Sequence, residues 1–419
     1  MSTILFMKTK GPLLTILGAG AWLDRTGATS QCSRQQNQNF ISHQEPAPLC
    51  HITDVRPDPG RQLQSSYFEH PVWSHEPWCV AAKGGSKYCT HTTANFRLGH
   101  GLSVIANSRA ADAISTAFSF SRQVEQVSEE GLHVQSLPGK GKGLITARPM
   151  AKGQTILLDS PRIIASAQFP ALVTHSQGQS LFKTGLDQLP ATDQDSVLSL
   201  DMSLGGTAIE NVMKTNAFAC QINDGRIDDA YMCLFPSVAR INHACIPNAH
   251  ARFIPRTLLM EVKAVRDIAV GEEISISYGK IELQSNERKK LYQQGWNFTC
   301  TCSLCTASSY EIAESDQRRA RFTQLRKALE NLTPETFDAQ QVVAWEKEIM
   351  ELSKQEGLDI LLAGDYERLA YVYAGHGMLE DAKLWALKAK ESLTDWKVAE
   401  GGPDNEIVRI MGLLEELDG

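Results

Sequence analysis

A chain of 419 residues is too long for one ordinary hydrophobic core, so two or three domains are expected. With 42% apolar and 21% charged residues it can bury sizeable cores and is not a disordered chain as a whole. The 48 acidic against 41 basic side chains give a net charge of -7, which argues against a general polyphosphate binder and suits a basic protein partner.

Residues 1–36 carry Lys8 and Lys10, a moderately apolar stretch from Pro12 to Leu23, and a single acid, Asp24. Three readings stay open: a secretory signal peptide, an organelle transit segment, or an uncleaved N-terminus. Cys32, Cys50, Cys79 and Cys89 follow, as free thiols or as two disulfides. Residues 37–128 begin as a Gln, Asn and Pro-rich linker and continue into an aromatic module around Trp73, Trp78 and Tyr88, with a short helix over Ala110 to Phe118. His75-Glu76 lacks the second histidine of a metalloprotease helix, and the Cys and His spacing here matches no zinc pattern, so packing is the preferred role.

From residue 129 the pattern turns to short β segments. Leu132 to Leu137 alternates, Gln154 to Pro161 reads as a strand leaving a Lys-Gly turn, and residues 168–213 read as helical and irregular. Arg252 to Val265 reads as further strand, and Glu273 to Tyr278 alternates Ile274, Ile276 and Tyr278 against Ser275 and Ser277. Past residue 307 the period becomes helical: Phe322, Leu325, Leu329 and Leu332, then Val342, Trp345, Ile349 and Leu352. No apolar run approaches the roughly twenty residues of a spanning helix, so no membrane is expected as partner.

Four stretches carry the chemistry. Pro138-Gly139-Lys140-Gly141-Lys142-Gly143-Leu144 alternates glycines; Asn242-His243-Ala244-Cys245-Ile246-Pro247-Asn248 concentrates polar groups; Gly271-Glu272-Glu273-Ile274-Ser275-Ile276-Ser277-Tyr278 ends a strand on a phenol; Cys300-Thr301-Cys302-Ser303-Leu304-Cys305 has thiolate-metal spacing. Taken alone, the glycines fit a surface hairpin, Asn242 and His243 a satisfied turn, and Tyr278 a packing residue. In this order and spacing they resemble the SET-domain protein methyltransferases, whose usual central motif is Asn-His-Ser-Cys-x-Pro-Asn; Ala244 replaces the serine. The likeness covers residues 130–306 and extends to the SET-and-MYND group, but no cysteine occurs between Cys89 and Cys220, so no MYND finger is expected there.

The resemblance implies an α+β chain: a β-rich SET domain over 129–280 with a knot-like crossing, a post-SET zinc segment over 281–306, and an α-helical domain over 307–419. In that last domain Asp365 to Leu393 resembles one tetratricopeptide helix pair turning at Gly375 to Gly377. It implies methylation of protein lysine side chains from S-adenosylmethionine, histone tails being one substrate class. The main chain of Lys140, Gly141, Lys142 and Gly143, together with Asn216, Asn242, His243, Tyr278 and Phe298, would hold the cofactor. Tyr278 would be the catalytic residue, and Cys245, Cys300, Cys302 and Cys305 would bind structural zinc. A plain helical cap and a peptide-binding groove remain open for the C-terminal domain; a monomer with no direct nucleic-acid contact is expected. Localisation is nucleus or cytoplasm, or the secretory pathway if residues 1–30 are a signal. The sequon Asn297-Phe298-Thr299 weighs against secretion, because a glycan inside the zinc segment would crowd it. Two competing readings are an inactive SET scaffold, against which Tyr278, Asn242 and His243 stand intact, and a secreted disulfide-stabilised binding protein.

Overall fold

The computed structural model describes residues 72–116, 118, 127, 129–222, 230–396 and 405–418. The expectations for residues 1–36, and for Cys32 and Cys50, lie outside the described residues. Three sheets and a helical C-terminal region make a mixed α+β architecture.

The strands β1 (Trp78–Ala81), β2 (Lys87–Arg97) and β3 (His100–Ala106) form antiparallel hairpins, followed by helix α1 (Ser108–Thr116). The segment read in sequence as a module of its own does not stand apart. Its β3 pairs in parallel with β7 (Ile163–Ser166), so these strands share one six-stranded sheet with β8 (Phe218–Gln221) and β9 (Ala230–Leu234), in the order β1-β2-β3-β7-β9-β8. Both faces of that sheet are covered at β7 and β9, which explains the unbroken apolar runs Ile163-Ile164-Ala165 and Ala230-Tyr231-Met232-Cys233-Leu234. Ile163, Ala165, Met232 and Leu234 pack with Leu181, Phe182, Leu186, Val212 and Met213 of the helices α3 (His175–Asp187) and α5 (Ala208–Asn216). Leu102, Val104, Ile164 and Cys233 point the other way into a core shared with the two smaller sheets. Disulfides join Cys79 to Cys89 across β1–β2 and Cys220 to Cys233 across β8–β9.

The strands β4 (Leu132–Leu137) and β5 (Gly141–Thr146) make the glycine hairpin, turning through Gly139 and Gly141, each at φ +71°, a conformation other residues resist. The alternation in β4 does not mark a buried face. It is an edge strand exposed along most of its length, with one paired neighbour only. This sheet runs β10 (Asn242–His243), β13 (Glu273–Ile276), β5, β4. A third sheet, β11 (Ala249–Ile254), β12 (Leu259–Ala264) and β6 (Thr155–Asp159), supplies Ile156, Met260 and Val262 to the common core.

After α7 (Ser285–Trp296) the chain is helical: α8 (Ser309–Glu330), α9 (Ala339–Glu356), α10 (Ala363–Gly375), α11 (Leu379–Trp396) and α12 (Asn405–Asp418). Phe322, Leu325, Leu329, Val342 and Ile349 do form the inner face, and Ile281 from the segment after β13 joins them. A polar tie runs beside it. Arg319, fully buried, donates to the carbonyls of Ile281 and Cys245 and to Glu356 of α9. Among the described residues, no helix is long and apolar enough to cross a membrane.

Candidate active site and cysteine cluster

The site grows from one short parallel pairing. Asn242 lies opposite Ser275 and His243 opposite Ile276, while β13 pairs on its other edge with Ile145 and Leu144 of β5. Asn248, 1% exposed, fixes the register through its side chain: Oδ1 accepts the Ser275 N–H at 2.8 Å, and Nδ2 donates to the Glu273 main-chain carbonyl at 2.9 Å. The strand therefore ends with Tyr278 against the Asn242–Cys245 segment. The Tyr278 hydroxyl donates to the Ile241 carbonyl at 2.8 Å, and its N–H donates to His243 Nδ1 at 3.1 Å. Burial, then the charges of Asp201 and Glu273, push the phenol pKa well above its usual value.

Aromatic rings wall this phenol in. Trp296 lies 5.4 Å from Tyr278 between ring centroids and Phe298 lies 6.2 Å away, while Tyr292 stacks on Phe298 at 5.5 Å and lies 4.1 Å from His243. Phe298 stands there because α7 stops at Asn297, whose left-handed φ of +56° turns the chain back.

The glycine hairpin meets the same segment. A Cβ on Gly143 would fall 2.8 Å from Asn242 Nδ2, 2.5 Å from Leu137 Cδ1 and 3.0 Å from Glu273 Oε1, so this glycine admits neighbouring side chains to the backbone. Glu273 gathers two of the expected residues: it accepts from Asn242 Nδ2 at 2.9 Å and from Lys140 Nζ at 2.6 Å. Lys142 is exposed on β5, where its main chain is all it brings to the hairpin. Asn216, 2% exposed, reaches the site indirectly, donating to the Asp201 carbonyl at 2.8 Å; the Asp201 carboxylate in turn lies beside Gly141. Lys140, Gly143, Asn242, His243, Tyr278 and Phe298 thus converge. Sequence reasoning gave no role to Glu273, Asp201, Tyr292 or Trp296, although Glu273 sat inside a motif already singled out.

The four cysteines converge too. Cys245, Cys300, Cys302 and Cys305 are free thiols whose sulfurs all lie within 4.8 Å of one another, with Cys245 3.9 Å from Cys300 and 3.5 Å from Cys305. Zinc–sulfur bonds of about 2.3 Å in a tetrahedron set sulfurs about 3.8 Å apart, so the cluster has the dimensions of a four-thiolate site. His243 Nε2 sits 3.3 Å from the Cys245 sulfur, which joins this cluster to the phenol pocket through a single imidazole.

The family model for the SET domain matches residues 141–279. That stretch is a SET domain. Among curated proteins, the histone-lysine N-methyltransferase set5 of Schizosaccharomyces pombe is 27% identical over 194 residues, 45% of this chain and 58% of that protein. The human N-lysine methyltransferase SMYD2 is 30% identical over 106 residues, covering 25% of this chain and 24% of its own length. The human histone-lysine N-methyltransferase SMYD3 is 42% identical over 72 residues, 17% of this chain and 16% of that protein. The matched stretch thus spans less than two thirds of each of these relatives.

Proposed function

We propose that this chain transfers a methyl group from S-adenosylmethionine to lysine side chains of proteins. The observation that carries the reading is the buried phenol of Tyr278, fixed on the Ile241 carbonyl and walled by Trp296, Phe298 and Tyr292, beside Asn242 and His243. The names of the relatives, all lysine methyltransferases, support it.

S-adenosylmethionine supplies an electrophilic methyl on a sulfonium. Its amino-acid end carries an ammonium and a carboxylate, and the Lys140, Glu273 and Asn242 trio offers both kinds of partner beside the Gly141–Gly143 strand. His243 and Phe298 would flank the adenine, and Asn216 would hold the Asp201 segment that closes the far side. The substrate nitrogen must arrive with a free lone pair, its proton having left to solvent. The aromatic wall excludes water around that amine and so favours its neutral form. Tyr278 stays protonated, and because its hydrogen is committed to Ile241 its oxygen lone pairs face outward as acceptors that orient the amine.

The finer assignments belong to the same proposal. Zinc on Cys245, Cys300, Cys302 and Cys305 would make residues 281–306 a post-SET segment, and the β10–β13 crossing would be the knot-like feature of the fold. The α10–α11 pair would be the tetratricopeptide-like part of a helical domain that receives a peptide; histone tails are the substrate class to try first. The test is transfer of labelled methyl by the full chain to mixed histones and cell extract. Label on a protein band that falls about 100-fold or more with Tyr278→Phe supports the reading; undiminished transfer by that variant rejects Tyr278 as the catalytic residue.

A further inference from the structure

A buried cation stands beside the cysteine cluster. Arg288 of α7 is 1% exposed. Its Nη1 donates to the Leu283 carbonyl at 2.6 Å and lies 3.8 Å from Asp316, a carboxylate partly open to solvent. Its Nε and Nη2, both buried, have no oxygen acceptor, and the acceptor within reach of the guanidinium is the Cys305 sulfur. What the guanidinium faces is sulfur, from Cys245 and Cys305. A buried guanidinium whose remaining partners are neutral thiols is costly, because a thiol is a weak acceptor. A divalent ion on four thiolates carries a net charge of about minus two and is equally costly to bury alone. Placed together, the guanidinium offsets about half of that charge, so each lowers the cost of burying the other.

We propose that Arg288 is the charge partner of a metal–tetrathiolate centre, setting its metal affinity from outside the ligand set. The proposal rests on the reading of the cluster as a metal site and adds a positioning residue to it. Arg319 adds a second tie beside the cluster, holding the Cys245 main-chain carbonyl at 3.3 Å while its own charge is paired with Glu356. Through Arg288 on α7 and Arg319 on α8, the charge of the bound ion is felt by the helices that follow it.

The test uses the full chain and Zn2+ in competition with a chromogenic chelator, with Co2+ substitution to read the thiolate charge-transfer band. Wild type that takes up neither ion fails the metal-site reading itself and this proposal with it. Given a wild-type site, Arg288→Gln, which keeps a donor for the Leu283 carbonyl but removes the charge, is expected to weaken affinity by about 10- to 100-fold. Arg288→Lys, which keeps the charge, should stay much closer to wild type. Equal losses in both variants assign Arg288 to packing and overturn the proposal, as does Gln binding as tightly as wild type. Asp316→Asn gives an independent arm should the Arg288 variants not fold. Freed of its competing carboxylate, Arg288 should tighten the site by about two- to fivefold, and no gain rejects the idea while the metal reading stands.

Discussion

At the scale of single residues, Gly143 and Gly139 make opposite predictions although both belong to the same alternating motif. A methyl on Gly143 meets Leu137, Asn242 and Glu273 at 3.0 Å or less, so Gly143→Ala should destabilise the fold by about 1–3 kcal/mol and weaken S-adenosylmethionine binding at least about tenfold by calorimetry. A methyl on Gly139 meets nothing within 4 Å, so Gly139→Ala should cost only its left-handed strain, about 1 kcal/mol, and leave binding unchanged. The site was legible in sequence where chemistry demands an unusual residue at a fixed position, as with Tyr278, Asn242, His243 and the four cysteines. It was illegible where an ordinary residue acquires its role from a distant partner. Glu273 reads as a solvated turn carboxylate until Lys140 and Asn242 are seen upon it. Asp201 reads as a loop residue until it stands beside Gly141.

Among the elements, the joint between α9 and α10 carries a titratable load. Glu346 is fully buried and bonded to Arg368, and burial, followed by the charge of Asp365, pushes its pKa up to about 8 from an ordinary 4.5. The folded helices then hold a proton that the unfolded chain has released, so stability is greatest below about pH 4.5 as far as this group is concerned. It falls as pH rises towards about 8. Unfolding free energies from denaturant titrations followed by helical circular dichroism should drop by at least about 1 kcal/mol between pH 5 and 8, and Glu346→Gln should flatten that slope. The helices were readable because their apolar spacing is local, as Val342 and Ile349 show. The union of β1–β3 with β7 was not, since pairing between strands far apart in sequence leaves no local signature. Nor was β10 readable: two residues are too short a run to show any period.

For the molecule as a whole, the cysteine cluster lies where sheet, α7 and helical region meet: Cys245 follows β10, and Arg319 of α8 grips its carbonyl. An ion held there would therefore brace more than the segment that binds it. Chelation is expected to lower the melting temperature by about 5–15 °C and to open residues 298–306 to protease, with zinc restoring both. A melting curve indifferent to chelator would show that the four sulfurs do without a metal. The pairing of Ile274 with Leu144 has a consequence for synthesis. The inner edge of the glycine hairpin cannot be covered until the ribosome has made β13, a wait on the order of ten seconds at ordinary elongation rates. During that interval every nascent copy carries a bare strand edge open to any passing chain, so the yield of this protein in a host should depend on translation speed and on whatever chaperone meets the chain at the exit tunnel.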